Sequence, residues 1–180
     1  MTGIGFTVWF TGLPSSGKST LAEALCERLS SLGHQARVFD GDRLRATISK
    51  DLGFTKEDRD KHVLRVGDLC RQFNREGGVA LAALVSPYAE IRAKNREKID
   101  RFAEVFVDAP LEVCIRRDVR GLYKKALNNE VKNFTGISDP YEPPPSPEIR
   151  LRTDQESVEE SVRKILNYLE GRGWVETRPS

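Results

Sequence analysis

Gly12-Leu13-Pro14-Ser15-Ser16-Gly17-Lys18-Ser19-Thr20 has the residue types and spacing of a phosphate-binding loop, G-x-x-x-x-G-K-S. Glycines at both ends let the backbone curl until successive N–H groups converge on one anion. A helix starting near Lys18 adds the positive end of its dipole. In such a loop Lys18 reaches the β- and γ-phosphates, and the Ser19 hydroxyl is the candidate ligand of Mg²⁺. So short a pattern carries weight only in context. Upstream, Phe6–Thr11 is rich in β-branched and aromatic residues, as a buried strand should be, and downstream Leu21, Leu25, Leu29 and Leu32 recur at helical spacing. Strand, glycine turn and helix form the setting that the motif requires. The competing reading is a strand-to-helix turn that binds nothing, and the flanks weigh against it.

A second cluster follows the short strand pattern Ala36–Phe39. In Asp40-Gly41-Asp42-Arg43-Leu44-Arg45, two carboxylates and two guanidiniums crowd around a glycine at a strand's C-terminal end, where open α/β sheets collect ligands. An Asp-Gly turn with a solvated helix start is the alternative. Thr55-Lys56-Glu57-Asp58 reads as a helix N-cap with an acidic first turn, and Val63, Val66, Cys70 and Phe73 mark the apolar stripe beyond it. Arg59, near that helix start, suits an anionic substrate, whereas Lys61, Arg65 and Arg71 read as ordinary solvated charges. His62 is either a hydrogen-bond donor to that substrate or a surface residue. Between about 116 and 136 the chain is basic, with Arg116, Arg117, Arg120, Lys124, Lys125 and Lys132. Beside a phosphate site such a segment suits a closing lid that neutralises a transferring phosphoryl group and excludes water; a solvated basic helix is the alternative.

The positioning elements follow from periodicity. Val79–Val85 is continuously apolar, as in a central parallel strand, and Ser86-Pro87-Tyr88 closes it at the ligand end. Ile91–Ile99 reads as a polar, surface-type helix carrying Arg92 and Arg96, and Ala103–Asp108 as a fourth strand, with Pro110 opening the next helix. Ser138–Pro147 is proline-rich and irregular, and Glu148–Arg152 alternates like an edge strand. Val158, Val162, Ile165, Leu166 and Leu169 define a closing helix over about 155–170, with a less ordered tail expected from Gly171. The fold expected is α/β: a P-loop NTPase-type three-layer sandwich with a five-stranded, mostly parallel sheet and a lid, in one domain over residues 1–180.

Bulk properties narrow the partners. A chain of 180 residues can bury one substantial core, and a net charge of +2 is too small to make nucleic acid or a membrane the main partner. Cys26, Cys70 and Cys114 show neither pairing nor metal spacing and read as small buried side chains in helices. The sequence has no basic-then-apolar signal pattern and no apolar run long enough to span a bilayer, so a soluble, cytoplasmic protein is expected.

Taken together, the motifs resemble the adenylylsulfate (APS) kinases. The phosphate loop is followed by Asp40-Gly41-Asp42-x-x-Arg45, Leu52-Gly53-Phe54-x-x-Glu57-Asp58-Arg59 and Ser86-Pro87-Tyr88. Phe106-Val107-Asp108-x-Pro110-Leu111-Glu112-Val113-Cys114 comes next, then Arg117-Asp118-Val119-x-Gly121-Leu122-Tyr123-Lys124-Lys125-Ala126, Phe134-Thr135-Gly136-Ile137 and Pro140-Tyr141-Glu142. The likeness runs from about Gly5 to about Leu169 in the family's order. It implies transfer of the γ-phosphoryl of ATP to the 3′-hydroxyl of adenosine 5′-phosphosulfate (APS), giving PAPS, the sulfate donor. It also implies that Gly12 to Thr20 bind the ATP phosphates with Mg²⁺ near Ser19, and that Asp42 lies near the acceptor hydroxyl as base or indirect metal ligand. Arg45 and Arg59 would hold the phosphosulfate, Phe54 and Phe134 would sandwich the adenine, and Lys124 and Lys125 would belong to the lid. The acceptor site so implied comprises Asp42, Arg45, Phe54, Arg59, His62, Ser86, Lys124 and Phe134. A homodimer and association with ATP sulfurylase are implied on the same ground. An anionic aromatic acceptor independently calls for guanidinium forks and stacking faces together.

Three positions depart from the family pattern. His62 stands where an asparagine is usual, Pro14-Ser15-Ser16 fills the loop differently, and Ala89-Glu90 follows Ser86-Pro87-Tyr88 in place of a basic or amide residue. Ser86 matches a serine described in some members as a phosphorylated intermediate; without an adjacent base, direct in-line transfer is the favoured route. Rival readings are a P-loop kinase for a nucleoside, gluconate or shikimate, a lapsed kinase domain serving a sulfurylase, and a GTPase-like switch. The last rests on Asp118 and Gly121 fitting D-x-x-G.

Overall fold

The computed structural model describes residues 4–176. Strand β1 (Phe6–Thr11) is followed by helix α1 (Lys18–Ser31), β2 (Ala36–Asp40), α2 (Gly41–Arg45) and α3 (Lys56–Arg75). Then come β3 (Val79–Ala83), α4 (Ala89–Lys98), β4 (Phe102–Val107), α5 (Leu111–Arg117), α6 (Leu122–Leu127), β5 (Ile149–Leu151) and α7 (Val158–Gly171). The five strands form one sheet in the order β2-β3-β1-β4-β5, and every pairing is parallel. Strand order reverses beside β1, so the phosphate loop leaves the sheet at its switch point, where a crevice opens beyond the strands' C-terminal ends.

Alternation along β1 explains the three layers. Phe6, Val8 and Phe10 pack with Leu21, Leu25 and Leu29 of α1 and with Ile165 and Leu169 of α7. Trp9, between them, faces the opposite layer with Val63, Val66 and Cys70 of α3 and Ile91 of α4. A satellite cluster of Ala109, Cys114, Tyr123, Ala126 and Phe134 anchors the basic segment against α5.

Three expectations need correction. Helix α4 is not a surface helix: Arg92 is 1% exposed and Asn95 is fully buried. The Arg92 guanidinium donates to the carbonyls of Ser86 (2.5 Å) and Glu142 (2.6 Å) and lies 3.3 Å from the Glu104 carboxylate. These partners come from β4 and from loops, so the local charge pattern could not show them. The chain beyond Gly171 is not loose through Val175. Trp174 packs against Phe6 and Tyr168, and Val175 is buried; residues 177–180 lie outside the described residues. Cys26 is only partly buried, although Cys70 and Cys114 are buried as expected. At Asp40–Arg45 the chain does start a helix: α2 begins at Gly41, with Asp40 as its cap. Bounds shift slightly elsewhere: β3 ends at Ala83, and α7 starts at Val158 behind a Ser157–Glu160 capping box. Among the described residues, no helix is long and apolar enough to cross a membrane.

Candidate active site

The phosphate loop owes its shape to two glycines. A Cβ on Gly12 would lie 2.5 Å from the Val107 carbonyl, so only glycine fits there, and Gly17 holds φ +108°, open to glycine at little cost. Lys18, buried at the start of α1, donates to the carbonyls of Gly12 (3.0 Å) and Leu13 (2.8 Å). Burial draws its ammonium down to about 8, against the opposing pull of Asp42. The loop is also braced from outside. Arg117 donates to the carbonyls of Ser16 (3.2 Å) and Thr153 (2.9 Å), Thr153 Oγ1 donates to the Ser16 carbonyl (2.6 Å), and the Tyr123 hydroxyl donates to the Pro14 carbonyl (2.8 Å).

Beside the loop, Ser19 Oγ donates to Asp40 Oδ2 at 2.8 Å. The other oxygen of Asp40 caps α2, accepting from the N–H groups of Asp42 (3.0 Å) and Arg43 (3.2 Å). One carboxylate thus connects the phosphate loop to the segment that presents Asp42. The Asp42 side chain is exposed and pairs with Arg120 at 2.7 Å, across the mouth of the cleft. Arg45 bonds the Gly53 carbonyl and lies 4.5 Å over the Phe54 ring, which is 58% exposed. Arg59 is buried and pairs with Asp139 at 2.9 Å. Phe134 is 8% exposed and meets Tyr123 edge-on at 5.0 Å. His62, read from sequence as either a ligand or a surface residue, is 4% exposed, with both ring nitrogens bonded to the chain itself. Burial, reinforced by Arg45, lowers its pKa to about 4.

The predicted residues converge on one cleft of about 740 Å³, whose walls include Lys18, Ser19, Asp42, Phe54, Arg59 and Phe134. Arg45, His62 and Ser86 also line it. Lys124 does not: its side chain is exposed away from that wall, and its N–H donates to the Asp118 carboxylate. Asp118 accepts from Tyr123 and Lys124 at the start of α6, so the D-x-x-G match is a helix-start device at the end of a helix. Ser86 holds φ +42°; its Oγ accepts from Trp9 Nε1 (3.1 Å) and donates to the Leu84 carbonyl (3.3 Å), and neither partner is a base. Sequence reasoning gave no role to Asp40, Tyr123 or Thr153. Asp40 carries a visible signal, since it ends a strand beside Gly41-Asp42; Thr153, past the edge strand, carries none.

A profile of the adenylylsulphate kinase family matches residues 4–152, which covers the loop, the Asp40–Arg59 segment and the basic segment together. The chain belongs to the adenylylsulphate kinase family. The adenylyl-sulfate kinase of Gloeothece citriformis is 51% identical over 95% of this chain and 97% of its own length. That of Microcystis aeruginosa is 52% identical over 95% and 94%. The Mycobacterium tuberculosis APS kinase, solved in complex with AMPPNP and APS, superposes with a TM-score of 0.90 at 40% identity, over 93% of this chain and 99% of that one.

Proposed function

We propose that this chain is an adenylyl-sulfate kinase: it transfers the γ-phosphoryl group of ATP to the 3′-hydroxyl of adenosine 5′-phosphosulfate, giving PAPS and ADP in sulfate activation. The observation that carries the reading is that guanidiniums and aromatic rings share one cleft with the phosphate loop. A sugar-acid acceptor offers no ring for Phe54 and Phe134 to stack on.

The donor's phosphates take the place of the Gly12 and Leu13 carbonyls on Lys18, with the loop's N–H groups around them. The metal reading is tested by the donor set. Ser19 and Asp40 supply a hydroxyl and a carboxylate side by side, and among the described residues no group of three His, Cys, Asp or Glu could hold a metal. Such a sparse set fits Mg²⁺, which keeps several waters and arrives with phosphates. Mg²⁺, when bound, neutralises charge on the β- and γ-phosphate oxygens. Arg45 and Arg59 hold the phosphosulfate and Phe54 and Phe134 the adenine. Asp42, released from Arg120, accepts the proton of the 3′-hydroxyl as that oxygen bonds to the γ-phosphorus and the bridging bond to ADP breaks. Arg120 is then free to meet the transferring group. We infer Ser86 to be a wall of this site and not a phosphoryl carrier, because it lacks a base. A single catalytic unit over residues 1–180, a homodimer, docking to an ATP sulfurylase and a cytoplasmic location belong to the same reading.

The test is PAPS formation from ATP, Mg²⁺ and adenosine phosphosulfate, alongside gluconate, shikimate and nucleosides as acceptors. Turnover is expected with the sulfated nucleotide alone. Lys18→Ala should lower it by about 10²–10³-fold and Asp42→Ala by about 10²–10⁴-fold, with the fold intact by circular dichroism. Preference for another acceptor would overturn the assignment.

A further inference from the structure

We propose that His62 is a positioning residue for Asp42, clamping the peptide from which Asp42 springs instead of gripping the acceptor. The proposal rests on the reading of Asp42 as the group beside the acceptor hydroxyl. His62 Nε2 lies 3.0 Å from the Gly41 carbonyl, and Nδ1 lies 2.8 Å from Ser49 Oγ. A carbonyl only accepts, so Nε2 carries the hydrogen. A neutral imidazole has one N–H, so Nδ1 accepts and the Ser49 hydroxyl donates. Both ring nitrogens are thereby used by the chain, and His62 and Ser49 are both buried, at 4% and 1% exposure. Neither nitrogen is left to bond a nucleotide.

What the clamp holds is specific. The carbonyl side of the Gly41–Asp42 peptide is fixed by His62, and its N–H side by Asp40 Oδ1 at 3.0 Å. Helix α2 has only five residues, so its own hydrogen bonds cannot fix the direction of its first turn. The peptide also packs closely on the sheet, since a Cβ at Gly41 would come within 2.8 Å of Leu84 Cγ, just past the end of β3. With the peptide pinned at both ends, the Asp42 Cα–Cβ direction is set before any ligand arrives. Positive charge on the clamp is opposed by burial, by Arg45 on α2 and by Arg65 on α3, while Asp42 and the Gly41 carbonyl favour it. The imidazole therefore remains neutral, with Nε2 as donor, throughout the neutral range.

Variants separate a clamp from a ligand. Glutamine places an amide N–H near the position of Nε2, whereas alanine removes the donor. With both substrates varied, His62→Ala is expected to lower kcat by about 10- to 100-fold, the scale of a misplaced catalytic group. The KM for adenosine phosphosulfate should stay within about 3-fold. His62→Gln should restore most of kcat. Ser49→Ala, which unlocks the tautomer but leaves the donor, should fall between them and supplies the test should His62→Ala fail to fold. A raised KM with kcat unchanged, or His62→Gln no better than alanine, overturns the clamp. An unmodified chain with no turnover sinks the kinase reading and the clamp with it; a contrary kcat–KM split in an active chain sinks the clamp alone.

Discussion

Around Gly12–Thr20 the Lys18 ammonium and the Pro14 and Ser16 carbonyls are held by buried or half-buried partners within the chain, whereas on the facing wall the Asp42 carboxylate and the Phe54 ring are exposed. Lys18 sits on two carbonyls, Arg117 and Thr153 hold the Ser16 carbonyl, and Tyr123 holds that of Pro14. Across the cleft Asp42 is exposed and paired with the exposed Arg120, and Phe54 is exposed beneath Arg45. The two aromatic rings show the contrast within one subsite: Phe134 is part of a packed cluster with Tyr123 and Cys114, and Phe54 is not. On the proposed function, the donor side is built in advance and the Asp42–Phe54 wall of the acceptor side is completed by its ligand. A triphosphate presents the same charged oxygens whatever its base, so a preformed nest suits it; recognition of one nucleotide acceptor gains from walls that close on it.

The sharpest way to break this comparison is to remove each ring. Phe134→Ala empties a packed site and is expected to cost about 3–5 kcal/mol in stability by denaturant unfolding. Phe54→Ala should leave stability within about 0.5 kcal/mol and instead weaken acceptor binding by ~1–3 kcal/mol, read by calorimetry. Equal losses of stability would erase the distinction. Next in size, Arg117→Met removes the guanidinium that bridges the Ser16 and Thr153 carbonyls and should raise KM for ATP about 10-fold, consistent with loss of hydrogen bonds from a charged donor. The acceptor KM should move little, and a larger effect there would mean that Arg117 serves the other side.

The smallest effect concerns pH. His62 has a folded pKa near 4 against an ordinary 6.5, so between those values the unfolded chain binds the proton that the fold refuses. Its contribution to stability is complete above 6.5 and is lost as pH falls toward 4. Thermal melts of His62→Gln over that window should therefore fall less steeply with acid than those of the unmodified chain. Parallel curves would show that the imidazole is not held neutral.

Much of this was legible locally. The apolar residues of β1, the leucine stripe of α1 and the Val63–Phe73 face of α3 follow from periodicity, because a side chain's layer is set by its place in a 2- or 3.6-residue repeat. The Thr55 cap with its acidic first turn was equally readable, since its partner is the Asp58 N–H three residues on. Arg92 was misread for the opposite reason. Its sequence neighbours are polar, and the Ser86, Glu104 and Glu142 groups that make its burial tolerable come from other elements.

The amino-acid sequence alone determined the order of the strands and the phosphate-loop motif between β1 and α1, because each rests on spacing within a few turns of chain. Only the tertiary structure decided that Asp40 joins Ser19 to the start of α2, that Thr153 and Arg117 brace the loop, and that His62 spends both nitrogens on Ser49 and Gly41. Apart from the Asp40 cap on α2, those contacts join a side chain to a side chain or carbonyl thirteen residues or more away. A hydrogen bond of that kind depends on where the sheet brings two segments together, which no local pattern records.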